Sequence, residues 1–136
     1  MKFILHSLTA ITLLSLASCK KSPAELPFEQ KLIGEWRYTG TGGGLTGKYA
    51  KADSSVTRTF QFKDGLRYIK KANNHIDEEG TFQLGRSRSI YIGTEDNSIV
   101  FNGVASSSRI ITLRNDTLEL ADNFYDGYQD SYVRMK

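Results

Sequence analysis

The chain is poor in the residues that most often carry chemistry. One cysteine, Cys19, and two histidines, His6 and His75, occur in 136 residues. A lone thiol near the N-terminus builds no disulfide framework, and it leaves the rest of the chain without a cysteine nucleophile or a thiolate metal site. His75 stands in a polar stretch, residues 72–79, read here as a solvated loop, and no Ser/His/Asp set accompanies it. Catalysis and a resident metal or cofactor therefore have no support. Helical periodicity is nearly absent, and the longest apolar run, residues 3–16, is too short for a comfortable membrane span.

That run follows Lys2 and is succeeded by Leu16-Ala17-Ser18-Cys19, so a positive start, an apolar middle and small residues before a cut are all in place. The tetrapeptide resembles the lipobox of bacterial lipoproteins. The resemblance implies a signal peptide over residues 1–18, acylation of Cys19 and a mature chain that begins there. Each buried methylene of such an anchor contributes about 0.8 kcal/mol, so two or three acyl chains hold a protein durably on its membrane. Lys20 is not the aspartate that retains lipoproteins at the inner membrane in well-studied Gram-negative systems, which implies the outer membrane. Residues 19–27 contain Pro23 and Pro27, which cannot join a sheet interior, and they read as an extended tether.

Residues 28–136 have the size of one domain with one core. Their charges are of both signs, interspersed and slightly basic, as on an ordinary solvated surface. Short segments of period-two alternation recur, rich in aromatic and β-branched residues, at residues 34–40, 56–63, 66–71, 80–84, 89–93, 99–103, 109–114, 117–121 and 131–135. Lys63-Asp64-Gly65, Asn115-Asp116 and Asp96-Asn97 have the chemistry of hairpin turns.

Sequential hairpins imply an antiparallel meander of about eight to nine strands, which either closes into an up-and-down barrel or folds as two packed sheets. Closure removes exposed edges and is the expected solution. The alternation assigns an inward set of Trp36, Tyr38, Val56, Phe60, Phe62, Leu66, Tyr68, Phe82, Leu84, Ile90, Ile92, Ile99, Phe101, Leu118, Leu120 and Tyr132. Both faces of residues 110–113 are apolar, so alternation leaves their register open.

The segment Gly34-Glu35-Trp36 resembles the Gly-x-Trp signature of the first lipocalin strand, and Tyr132-Val133-Arg134 resembles the last strand with its arginine. The resemblance implies that Trp36 and Arg134 meet in a cation–π plug at the closed end, a contact of about 0.5–2 kcal/mol. It further implies that Gly34 lets the chain turn tightly into the barrel and that residues 28–33 cap the floor. Shortness and the lack of a disulfide point to the compact lipocalin-like lipoproteins of Gram-negative bacteria.

An eight-stranded barrel holds one small ligand or is filled by its own side chains. The candidate ligand-binding residues are Arg58, Phe60, Phe62, Tyr68, Tyr38 and Phe101. Arg58 shares alternation with Phe60 and Phe62, so it either points inward toward a ligand carboxylate or snorkels to water from a strand end. The expected partners are the membrane, through Cys19, and a small apolar or amphipathic ligand; the competing expectation is a packed barrel serving as an interaction module.

Other motifs fail on chemistry. Gly42 and Gly47-Lys48 have Walker A spacing, but Tyr49 stands where a hydroxyl must hold magnesium, so residues 40–47 read as a flexible loop at the mouth. Asp122, Asp126 and Asp130 suggest a calcium loop, yet Phe124 occupies a ligand position. Lys63, Arg67, Lys70 and Lys71 on one hairpin read as edge-strand lysines that discourage aggregation rather than as a nucleic-acid patch.

Overall fold

The computed structural model describes residues 25–136 and is an all-β, closed antiparallel barrel. The expected signal peptide, Cys19 and most of the expected tether lie outside the described residues. The short helix α1 (Phe28–Leu32) precedes the strands β1 (Gly34–Gly43), β2 (Lys48–Lys51), β3 (Arg58–Lys63), β4 (Arg67–Ala72) and β5 (His75–Arg88). The strands β6 (Glu95–Phe101), β7 (Arg109–Arg114), β8 (Thr117–Asp122) and β9 (Tyr128–Arg134) follow. Each barrel strand pairs with its sequence neighbour, and β9 returns to β1 with Trp36 opposite Arg134. Eight strands close the barrel; β2 is an addition, paired only with the outer half of β1.

Alternation explains the core. Trp36, Phe60, Phe62, Tyr68, Phe82, Ile99, Leu118 and Leu120 are all buried and belong to one cluster, with Phe101, Leu84, Leu66 and Tyr132 packed against it. Leu32 of α1 is fully buried in the same cluster, so the helix forms the floor. Gly34 has φ +138, and a Cβ there would lie 2.7 Å from Arg134 Nη1; only glycine allows both the turn and that approach.

Several expectations are overturned by turn chemistry. Residues 72–79 are not a loop: Asn73 and Asn74 have φ 48 and 66, the two-residue type I′ geometry, and Ala72 pairs directly with His75. Strand β5 thus starts at the turn and runs to Arg88, pairing first with β4 and then with β6. Residues 89–93 are the tip of the β5–β6 hairpin rather than a strand, and Asp96-Asn97 lies within β6 rather than in a turn. Ile90 and Ile92 accordingly leave the inward set, at 37% and 60% exposure. Leu66, expected to open a strand, sits in the β3–β4 turn with φ 56. Residues 40–43 extend β1, and residues 48–51 form β2, so the expected mouth loop is mostly a hairpin.

The undecided stretch in β7 is resolved by a second layer. Ile111 joins the core and Leu113 packs against it, which turns Ile110 outward, yet Ile110 is only 4% exposed. Its register partners Ser98 and Ala121 are buried too. The β5–β6 tip bends back over this outer face: Ile90 N–H donates to Asn123 Oδ1 at 3.0 Å, Asn123 Nδ2 donates to the Arg88 carbonyl at 2.9 Å, and the Tyr91 hydroxyl donates to the Asp122 carbonyl.

Candidate functional site

The two ends of the barrel are built differently. At the closed end the Arg134 guanidinium lies 4.1 Å from the Trp36 ring centre, donates to the Ile33 carbonyl at 2.9 Å and also to the Lys31 carbonyl. Trp36 Nε1 donates to the Leu32 carbonyl at 2.9 Å. The arginine therefore seals the floor by satisfying carbonyls at the end of α1 while covering the indole face.

Above the floor the middle of the barrel is solid. Phe60 stacks on Phe62 at 4.3 Å, Phe62 meets Phe82 at 5.2 Å, and Tyr68 meets Phe101 at 5.0 Å. Phe60, Phe62 and Tyr68 are each about 1% exposed. No described cavity is lined by Phe62 or Tyr68.

Above that aromatic layer, at the mouth, space opens between the strands, while a separate surface groove of about 820 Å³ lies outside the floor, beside Lys31, Leu113 and Arg134. A cavity of about 330 Å³ is bounded by Tyr38, Arg58, Phe60, Lys70, Asp130 and Tyr132, among others. A neighbouring one of about 450 Å³ adds Phe101, Asn102, Val104, Arg109 and Leu120. The two share Phe60, Lys70, Glu78, Asp130 and Tyr132, so they are halves of one cup with an aromatic floor and a charged wall.

The wall follows from the same parity that built the core. Lys70 lies two residues beyond Tyr68, Arg109 two before Ile111, and Asp130 two before Tyr132, so all three turn inward at the open rim. Strand β4 is paired on both sides and has no edge, and Lys70 is not a solvated edge lysine. Its ammonium lies 5.2 Å from the centre of Phe60, 5.6 Å from Tyr68 and 5.4 Å from Phe101, and donates to Glu78 Oε2 at 2.8 Å. Lys71, on the outer face, lies 3.5 Å from Glu35.

Beside Lys70, Glu78, Tyr68 and Asn102 form one hydrogen-bonded network. The Tyr68 hydroxyl donates to the other Glu78 oxygen and accepts from Asn102 Nδ2 at 2.9 Å. Asn102 in turn accepts from the Thr81 N–H at 3.0 Å through its side chain. Gly80 makes room for it: a Cβ there would lie 2.0 Å from Asn102 Oδ1. Burial and the Glu78 carboxylate push the Tyr68 hydroxyl up to about 12. Burial alone pushes Glu78 upward as well, but the hydrogen bonds from Lys70 and Tyr68 prevail and hold it below the usual carboxylate range.

Across the cup, Arg109 Nη1 donates to Asp130 Oδ2 at 2.7 Å, and Asp122 Oδ1 lies 2.9 Å from Nε. That second carboxylate is off the N–H axis, so it pairs through charge and leaves the buried Nε–H without an aligned acceptor. Asp122 and Asp130, suggested by spacing as part of a calcium loop, are thus the counter-charges of an arginine. Burial, and secondarily Asp130, raises both the Tyr38 and Tyr132 hydroxyls. Among the described residues no three His, Cys, Asp or Glu side chains converge as metal ligands.

Of the six candidate ligand residues, Tyr38, Arg58, Phe60 and Phe101 border the cup, while Phe62 and Tyr68 support it from below. Arg58 is exposed at the rim. Sequence reasoning missed Lys70, Glu78, Asn102, Arg109, Asp130 and Tyr132 as wall residues, although inward parity carried through to the strand ends marks four of them. Comparison with protein-family models, with curated proteins and with solved structures gave no match for this chain, so the site rests on its own geometry.

Proposed function

We propose that this chain is a lipid-anchored, lipocalin-like protein of the bacterial envelope that holds a small apolar or amphipathic molecule at the open end of its barrel. The cup carries this reading: Phe101 and Tyr132 offer partly exposed apolar surface over the buried Phe60 and Leu120, and Arg58, Lys70, Glu78, Arg109 and Asp130 surround it with charge. Such a lining suits a ligand with an apolar body and a polar head. The shallow cup favours a short or flat ligand, because the stacked rings below leave no room for a long tail. The Trp36–Arg134 plug and the floor helix support the lipocalin-like reading. The lipobox-like Leu16-Ala17-Ser18-Cys19 supports anchoring at Cys19, and Lys20 supports the outer membrane. No catalytic step and no nucleic-acid partner are assigned.

A second reading is favoured by the filled centre: a packed barrel acting as a structural or protein-interaction module. Native mass spectrometry of residues 22–136, which contain the whole barrel, separates the two. The protein is purified gently from its own envelope beside a denatured control. A discrete adduct lost on denaturation is the expected outcome. A bare domain that stays bare after incubation with envelope lipid extract selects the module.

A further inference from the structure

The Lys70 ammonium occupies a ready-made cation site. Three clustered aromatic rings lie on one side of it, at 5.2 to 5.6 Å from their centres, and a carboxylate contacts it at 2.8 Å. Ring faces carry negative potential, so this arrangement attracts ammonium groups generally, including those of ligands. The cage is fixed independently of its occupant: Phe60, Tyr68 and Phe101 contact one another at 5.0 to 5.5 Å, and the Tyr68 hydroxyl holds Glu78 while Asn102 holds Tyr68. Removing the lysine therefore leaves the walls in place.

Lys70 is the movable part. Its side chain is 37% exposed, its stem is flexible, and it borders both halves of the cup. Swinging outward, it would join those halves and vacate the cage, while its own ammonium regained water. The exchange replaces one cation by another against the same rings and carboxylate, so the net cost is small and the apolar part of the ligand adds burial on Phe101 and Tyr132.

We propose that Lys70 is an internal occupant of a cation-binding cage, and that the cup takes amphipathic molecules whose head is an ammonium group, which displace it. The proposal rests on the small-ligand reading above and narrows its ligand class.

The test compares two amphiphiles with the same short tail, hexyltrimethylammonium and hexanoate, by isothermal titration calorimetry with residues 22–136. Wild type, Lys70→Met and Glu78→Gln are titrated, with near-UV circular dichroism to check packing. Lys70→Gln is the replacement should Lys70→Met misfold. Binding of the ammonium amphiphile by wild type, tightened about fivefold or more without the lysine and weakened in Glu78→Gln, is expected; that is the scale of one cation–π contact and one partly exposed ion pair. Binding of hexanoate alone, lost without Lys70, would overturn the cage proposal by making the lysine an anion contact, and would leave the small-ligand reading standing. Binding of neither amphiphile by any variant would overturn the cage proposal and count against the small-ligand reading as well.

Discussion

The closed and open ends of this barrel use the same strands and the same alternation, yet they solve opposite problems. At the floor, Trp36 and Leu32 are wholly buried, and the Arg134 guanidinium is spent on two backbone carbonyls, an indole face and a long ion pair with Asp116. At the mouth the inward positions carry Lys70, Glu78, Arg109, Asp122 and Asp130, paired with one another around open space. An apolar filling excludes water and stabilises; a ring of paired charges leaves a solvated, shaped cup. The contrast teaches that dry packing and paired charge are segregated along the barrel axis, with the stacked rings of Phe60, Phe62 and Phe82 as the boundary.

Breaking the floor has the largest effect. Trp36→Ala empties the space between α1 and Arg134, and its expected cost is about 3–5 kcal/mol, read as a lowered urea midpoint with little change in slope. A fall in stability of less than about 1 kcal/mol would mean that the floor is not the stabilising end.

At the mouth, Arg109→Met strands Asp122 and Asp130, whose side chains are 22% and 26% exposed, beside an apolar neighbour. Partial solvation moderates the penalty to about 1–2 kcal/mol. The same urea titration checks it, and a cost equal to that of Trp36→Ala would erase the distinction between the ends.

The smallest effect is a pH dependence that belongs to the cage. Tyr68 is raised from 10.0 to about 12 in the folded protein, so its neutral form is favoured by folding. Its contribution to stability is complete below pH 10, where the unfolded chain also holds the proton. It declines as pH rises toward about 12 and is gone once the folded group ionises. Ultraviolet titration of phenolate formation checks this: wild type has a tyrosine ionising near 12 that Tyr68→Phe lacks. Equal titration curves in that range would detach Tyr68 from Glu78.

Much of the architecture was legible because period two is a property of the chain. Trp36, Phe60, Phe62, Tyr68, Phe82, Ile99, Leu118 and Leu120 announced an inward face, and that face is buried. The failures lie at turns. Asn73-Asn74 reads as part of a polar loop until both residues adopt positive φ, and Ile90 and Ile92 mimic strand residues although they cap a hairpin. Ile110 was undecidable locally because both faces of its strand are apolar, and the tip that returns beside it, bonded to Asp122 and Asn123, is more than fifteen residues away in sequence.

The amino-acid order alone pointed to an antiparallel barrel of alternating strands and to a floor signature in Gly34, Trp36 and Arg134, and it carries an N-terminal tetrapeptide that resembles a lipobox. Only the tertiary structure decided what the mouth contains. A lysine two positions past an inward tyrosine looks solvated in one dimension; whether its charge meets water, a carboxylate or three rings depends on strands β3, β5 and β6, and their register is set by closure of the whole sheet. Local pattern governs which way a side chain faces, and closure governs what it finds there.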